Sequence, residues 1–483
     1  MALQGIKKKF KVSMILGALS AVLCFTAFLP KSDSGQAVDI GSRLELFVDD
    51  ALIENMTGAA LKLQPPIPQE VGIVFDQSWE GNTSAYVTVF QDGDRFRMYY
   101  RGSNYDIKTE AYGPQMTCYA ESKDGIHWTR PALGLFAFNG SKKNNIVWQG
   151  LGAHNFAPFL DRRPGCPEGE RYKALASDSG NKSLFAFKSS DGIHWSLLQE
   201  KPVIPSGFFD SQNIAFWDTA RNSYLEFNRG WKNNVRDIML SLSSDFRTWT
   251  EPEWLDYGNA PAEHLYTNAI TPYFRAPHFL VGFPKRFIPD RKAGRHKLPG
   301  VSDGVFMSSR DGRHWRRWGE AFLRPGLQKE RWVNRNNMIA WGILATKSET
   351  AGLPDEMSIY SSEGYYVENC RMRRHTLRLD GFVSVNAPAA GGEITTKPFL
   401  FKGSRLILNF STSAAGFIRA EVQDENRRAL PGLALADCPE VYGDEIECEL
   451  RWTSGADLGT LEGKPIRLRF VLKDADLYSM RFR

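Results

Sequence analysis

Four times along the chain the pattern Ser-x-Asp-x-x-x-Trp recurs, at Ser122 to Trp128, Ser189 to Trp195, Ser243 to Trp249 and Ser309 to Trp315. The Trp-to-Trp steps are 67, 54 and 66 residues, so the chain reads as an array of one supersecondary unit. Each heptad follows a short apolar run of strand length, such as Thr117-Cys118-Tyr119-Ala120 or Leu184-Phe185-Ala186-Phe187. In such a turn the Asp side chain accepts backbone N–H bonds and Gly125, Gly192 or Gly312 supplies a positive φ. The Trp then packs between neighbouring sheets. The heptads are therefore read as architecture and not as chemistry.

Between the heptads lie runs that open each unit, at residues 85–90, 156–160, 213–217, 269–273 and 338–341. The first four are followed by a turn and a second strand, as in Gln91-Asp92-Gly93-Asp94 before residues 95–100. A fifth unit ends at residues 357–360 and 374–379 without a heptad. Five four-stranded units predict an all-β chain whose residues 38–388 form a five-bladed β-propeller, with the opening strands lining its channel. Leu46-Phe47-Val48 is expected to add the strand that closes the ring. The small-residue stretch 386–392 reads as a linker, and residues 392–483 predict a C-terminal β-sandwich with strands at 406–410, 417–422 and 466–472. No helical stretch follows the N-terminal leader.

That leader carries Lys7, Lys8, Lys9 and Lys11 ahead of an apolar run from Val12 to Leu29, with Gly35-Gln36-Ala37 as a small-residue cleavage site. Residues 1–37 thus read as a signal peptide, or as an uncleaved anchor, and the mature chain is expected to be periplasmic or extracellular. They hold five Lys and one Asp, so removing them takes the formal charge from +5 to +1. Nothing in that balance asks for nucleic acid, or for a membrane beyond the anchor. The five remaining Cys contain no CxxC pair, so no metal or redox motif is read; a Cys438–Cys448 disulfide is allowed after export. The 13 Trp, 16 Tyr and 31 Phe suit sheet spacers and a sugar cleft, and a monomer with a carbohydrate partner is expected.

A propeller brings the residues just ahead of its innermost strands to one funnel. There the sequence offers Trp79 and Glu80, His154, Asp210 with Asn213, Glu263 with His264, and Glu330 with Arg331. Asp50, after an apolar run, is read either as a turn residue or as a substrate contact, and Arg101 as a partner of Glu80 or an anchor for an acidic sugar. Two carboxyls with different ionisation suit glycosidic cleavage, one donating a proton and the other acting as nucleophile or base. Funnel carboxylates also leave room for a structural Ca²⁺, with no other cofactor implied.

The five units, the repeated turn, the carboxylates ahead of the first, third and fourth units and the trailing sandwich together resemble the five-bladed propeller glycoside hydrolases of families 32 and 43. The resemblance covers residues 40–483 at the level of architecture. It implies Glu80 as nucleophile or base, Asp210 as the residue that steadies the site, and Glu263 as the acid. Glu80 stands where those families use Asp, and the Asn-Asp-Pro-Asn and Arg-Asp-Pro sequences of the sucrose enzymes are absent. The implied relative is therefore a divergent one. Two other readings stay open. One is a carbohydrate-binding propeller without catalysis, and the other is a sialidase-like or lyase enzyme that grips acidic sugars through Arg101, Arg229, Arg286 or Arg331. Carboxylates gathered around the funnel favour hydrolysis, and arginines gathered there favour the sialidase-like or lyase reading.

Overall fold

The computed structural model describes residues 37–292 and 299–483, so the expected leader lies outside the described residues but for Ala37. Those residues form strands, turns and a few short 3-10 segments, an all-β chain. Five sheets have four antiparallel strands each. The first is Ala85–Asp92, Arg95–Gly102, Met116–Ser122 and Ile146–Gln149; the second Ala157–Leu160, Tyr172–Ser177, Leu184–Ser189 and Ser196–Leu197. The third is Ile214–Asp218, Ser223–Lys232, Val235–Ser243 and Glu253–Trp254; the fourth Thr271–Tyr273, Ala276–Gly282, Met307–Ser309 and Trp315–Arg317. The fifth takes three strands in sequence, Leu344–Thr346, Glu356–Glu363 and Arg371–Arg378, and its fourth from Ile67–Val74 near the start of the chain. Residues 338–341, read as the opening strand of that unit, make isolated bridges instead: Ile339 to Ser361, and Trp341 to Thr88 in the first sheet.

The repeated Ser closes the third strand of each of the first four sheets, and the heptad then turns the chain into the fourth. In every copy the Ser hydroxyl accepts the backbone N–H three residues on, at 2.8–2.9 Å. The Asp Oδ1 accepts the next two N–H groups at 2.8–2.9 Å. Burial alone would raise the Asp124 carboxyl, but bonds from His127, Ile126 and Ser122 hold it below the usual carboxylate range. Gly125, Gly192 and Gly312 have φ of +72°, +78° and +82°; the third copy puts Phe246 at +64°, an uncommon conformation for a bulky side chain. Each turn packs an aromatic ring on the preceding sheet. Trp195 lies 6.2 Å from Tyr99, Phe246 5.4 Å from Phe159 and Trp315 6.2 Å from Phe227, centroid to centroid. The first turn reaches the fifth sheet, with Trp128 5.8 Å from Tyr360.

The remaining strands form an eight-stranded sheet, a three-stranded sheet, a short antiparallel pair of Tyr105–Asp106 with Ala111–Tyr112, and a small parallel pair. Leu406–Gln423 and Arg467–Phe482 run as two long partners, continuing past the short strands expected there. Residues at the start of the chain join them: Ile53–Thr57 pairs with Gly392–Thr396, and Ala60–Leu63 with Val383–Ala387. Glu45–Leu46 pairs with the last strand, so the segment expected to close the ring belongs here, and Ile67–Val74 supplies the missing edge. Burial explains the difference: Leu46, Phe47 and Val48 are all buried, as between two packed layers, whereas 67–74 is exposed or half-buried at every position but Ile73, as an outer strand is. Cys438 and Cys448 are free thiols, so the expected bridge is not formed.

Glu45 ties this sheet to the fourth. Its buried carboxylate accepts from Arg310 at 2.8 Å and Arg43 at 2.5 Å, with His278 at 3.4 Å. Burial would raise its pKa, but His278, Arg310 and Arg43 bring it from the ordinary 4.5 down to about 2. A depressed carboxyl contributes stability above its unfolded value and loses it as pH falls through the folded one. Urea unfolding should therefore show stability falling between pH 4.5 and about 2, with a shallower slope in Glu45→Gln; equal slopes would remove Glu45 as the cause.

Candidate functional site

Ahead of the fourth sheet stands Tyr266, and four cations surround its ring. The Lys285 Nζ lies 4.1 Å from the ring centroid, and the guanidinium carbons of Arg229, Arg335 and Arg236 lie at 5.1, 5.6 and 5.8 Å. Arg229 and Arg236 come from the paired strands Ser223–Lys232 and Val235–Ser243 of the third sheet. Lys285 comes from a three-stranded sheet, His264–Leu265, Lys285–Ile288 and Val301–Gly304, whose last two strands are inserted within the fourth sheet. Arg335 precedes the fifth sheet with φ +69°.

The Tyr266 hydroxyl meets that of Tyr86 at 3.2 Å, and Arg101 of the first sheet lies 4.7 Å over the Tyr86 ring. Tyr86 sits at φ +54°, an irregularity in its strand that interrupts the register between Ala85 and Thr88. Arg101 donates to the Thr83 carbonyl at 2.8 Å and to the Tyr365 hydroxyl at 2.9 Å, and its Nη1 is 3.3 Å from His154 Nδ1. His154 Nε2 is 3.1 Å from Asp210 Oδ1. His154 precedes the second sheet and Asp210 the third, so residues on or just ahead of all five sheets meet here.

Charge decides the protonation of the group. The Asp210 carboxylate only accepts, so His154 Nε2 carries the proton given to it, while Nδ1 lies 2.8 Å from Gln115 Oε1 and 3.3 Å from Arg101 Nη1. Burial, then Arg101 and Arg335, hold His154 below its ordinary 6.5 against the pull of Asp210, which makes the imidazole neutral near pH 7. The bond from His154, and then Arg229 and Arg335, hold Asp210 below the usual carboxylate range despite its burial. Burial and repulsion from Arg335, Arg236 and Arg229 push the Lys285 ammonium well below its ordinary value. Asp210 and His154 are reachable from solvent, with side chains 45% and 24% exposed, and Arg236, Arg335, Gln115 and Asn334 are half-buried beside them. Arg101, Arg229, Lys285, Tyr86 and Tyr266 are buried beneath.

Of the residues expected in one funnel, the structure brings together Arg101, His154 and Asp210. Glu80 lies on the other face of the first sheet, because adjacent strand residues point to opposite sides. Tyr100 donates to it at 2.5 Å and Arg130 at 2.9 and 3.0 Å, while Arg101 faces His154. Glu263 is separated in the same way. Arg286 donates to it at 3.1 Å and Arg317 contacts its other oxygen, while neighbouring Lys285 joins the Tyr266 group. The three acids are therefore not assembled.

The other candidates have local partners. Trp79 donates to Asn145 at 2.7 Å, Asn213 to the Phe209 and Ser211 carbonyls at 3.2 Å, and His264 Nδ1 accepts from the Arg236 backbone at 3.1 Å. Asp50 is exposed, 3.5 Å from Arg316. Glu330 is 3.4 Å from Arg371, and Arg331 donates to Asn337 at 2.9 Å. No group of three His, Cys, Asp or Glu that could hold a metal occurs among the described residues, so the calcium allowed for a carboxylate-lined channel finds no ligand set. Sequence reasoning missed Tyr86, Arg236, Tyr266, Lys285 and Arg335. Of these, only Tyr86 lay within a marked opening strand.

Glu80 is an enclosed ion-pair partner whose loss leaves the half-buried Arg130 with only one carboxylate, the exposed Asp76, 3.7 Å away. Glu80→Gln should lower unfolding free energy by about 3–5 kcal/mol, and Glu80→Gln with Arg130→Met by less. Chemical denaturation checks both, and a smaller loss in the single variant than in the double would contradict this placement.

No protein-family model and no curated protein matches the chain. Among solved structures it is similar to a glycoside hydrolase at 14% identity and TM-score 0.46, over 65% of this chain and 92% of that one. An N-acetylgalactosamine deacetylase from F. plautii, in complex with blood group B trisaccharide, is similar at 15% identity and TM-score 0.43, over 66% and 96%. A fructofuranosidase from Schwanniomyces occidentalis, complexed with fructosylnystose, is similar at 13% and 0.36, over 86% of this chain and 96% of its own. These are likenesses of shape, and the functional reading has to rest on the chemistry of the site.

Proposed function

We propose that this chain is an exported glycan-cleaving enzyme, a five-bladed β-propeller with a C-terminal β-sandwich, whose working carboxylate is Asp210. The relay of turn aromatics from each sheet to the one before it, with the first reaching the fifth, supports the ring. The observation that carries the chemistry is the Asp210–His154 pair at the open side of the Tyr86–Tyr266 group, 3.1 Å apart and partly exposed. An ionised carboxylate beside a sugar attacks the anomeric carbon or takes a proton from water, and it also stabilises the positive charge that develops on the ring. His154 orients that carboxylate through its Nε2–H. Tyr86, kept as a phenol by burial first and by Tyr266 and Asp210 next, lies beneath the pair with its hydroxyl 3.2 Å from that of Tyr266. Glu80 and Glu263 hold the scaffold on this reading.

A second reaction, elimination rather than hydrolysis, is favoured by one observation. Lys285, buried among three guanidiniums, gives up its proton more readily than an ordinary lysine, as a base for elimination must. The product separates the two, since elimination leaves a double bond in the sugar and hydrolysis adds water. In a screen of the full chain against glycans, Asp210→Asn should lose about 10²–10⁴-fold in turnover while still binding sugar. Undiminished turnover in that variant would sink the assignment, and binding without release by the wild type would favour a carbohydrate-binding propeller. With Asp210 depressed and His154 held below 6.5, activity should persist down the acid side to below pH 6.5 and fall only as His154 gains a proton. A pH–rate profile whose acid limb lies above 6.5 would contradict it.

A further inference from the structure

We infer that the sugar bound at this site is anionic, carrying a carboxylate or a sulfate ester that sits among Arg229, Arg335, Arg236, Lys285 and Arg101. The inference rests on the glycan-binding reading of the preceding subsection and adds the charge of the substrate. Five cationic side chains face one another there with Asp210 as the acid among them. Four of the five lie within 6 Å of a single ring centroid. Like charges that are brought together and buried repel and lose hydration, and an anion between them relieves both costs.

Hydrogen-bond chemistry points the same way. Guanidinium and ammonium groups donate and cannot accept, whereas each hydroxyl of a neutral sugar also has a proton to place. A wall of donors therefore matches an acceptor-only group better than it matches a row of hydroxyls. Carboxylate and sulfate oxygens are such groups, and Arg meets them with two parallel N–H bonds. Donors remain for this purpose. The buried Nε of Arg101, Arg229, Arg236 and Arg335 has no hydrogen-bond partner among the described residues. Lys285 Nζ bonds the Asn334 side chain at 3.2 Å, and Arg335 bonds the Tyr365 hydroxyl at 3.0 Å. Trp231, 43% exposed, lies 4.6 Å from the Arg236 guanidinium and offers a flat face for the neighbouring sugar. An anion entering the group also offsets the repulsion that Arg335, Arg236 and Arg229 exert on Lys285.

The test is titration calorimetry of the full chain with three oligosaccharides of equal length: an oligogalacturonate, a sulfated galactan fragment and an uncharged galactan fragment. One or both acidic probes should bind at least tenfold tighter than the neutral one and weaken as salt is raised. The preferred probe identifies carboxylate or sulfate as the group. Arg229→Met should remove at least tenfold of that preference with the melting temperature kept. If that variant does not fold, the half-buried Arg335→Gln is the substitute. Neutral and acidic probes binding equally would overturn the inference and leave the glycan reading standing. Failure of all three to bind would overturn both.

Discussion

The hydrogen bonds inside the repeated turn are the constraint on which the rest of the molecule depends. A Ser hydroxyl and an Asp carboxylate satisfy four backbone N–H groups per copy, groups that would otherwise be left unpaired where a strand ends beside a neighbouring sheet. Because each turn also carries an aromatic ring onto the preceding sheet, the same few residues fix both the local reversal and the spacing between sheets. The Tyr99 and Tyr360 hydroxyls donate to the carbonyls of Gly192 and Gly125, so even the turn backbone is tied to the sheet before it.

That economy explains what the sequence made legible. Recurrence of the turn marks the four-stranded units, and the segments ahead of them lead to Arg101, His154 and Asp210. Side-chain parity was not legible. Tyr100 and Arg101, like Lys285 and Arg286, are neighbours that serve opposite faces, and a one-residue change of register exchanges their roles. Glu80 and Glu263 went to the wrong face for this reason. Tyr266 and Lys285 were hidden for another. They stand around a short inserted sheet that has no repeat, and their meeting depends on loop paths that no period records.

The site and the scaffold handle charge in contrasting ways. Glu45, Glu80 and Glu363 are buried carboxylates that each meet half-buried arginines, and Glu363 meets both Arg371 and Arg373. Around Tyr266 the cations lean instead on ring faces and on one another. A protein keeps such an arrangement at a cost in folding free energy, and functional sites are where such costs concentrate.

Taking the last strand of the fifth sheet from residues 67–74 has a consequence for how the chain is made. A polypeptide emerging from its N-terminus holds that strand, and residues 45–63 before it, without partners until segments more than 300 residues later arrive. The two ends thus act as a clasp that fastens last. Until it does, Arg371–Arg378 presents an open edge, the kind of surface on which strands of other chains add. Topologies dominated by such distant pairings fold slowly. The interval before closure is therefore when this protein is most exposed to misassembly, and shortening the wait matters more to its yield than strengthening any single sheet.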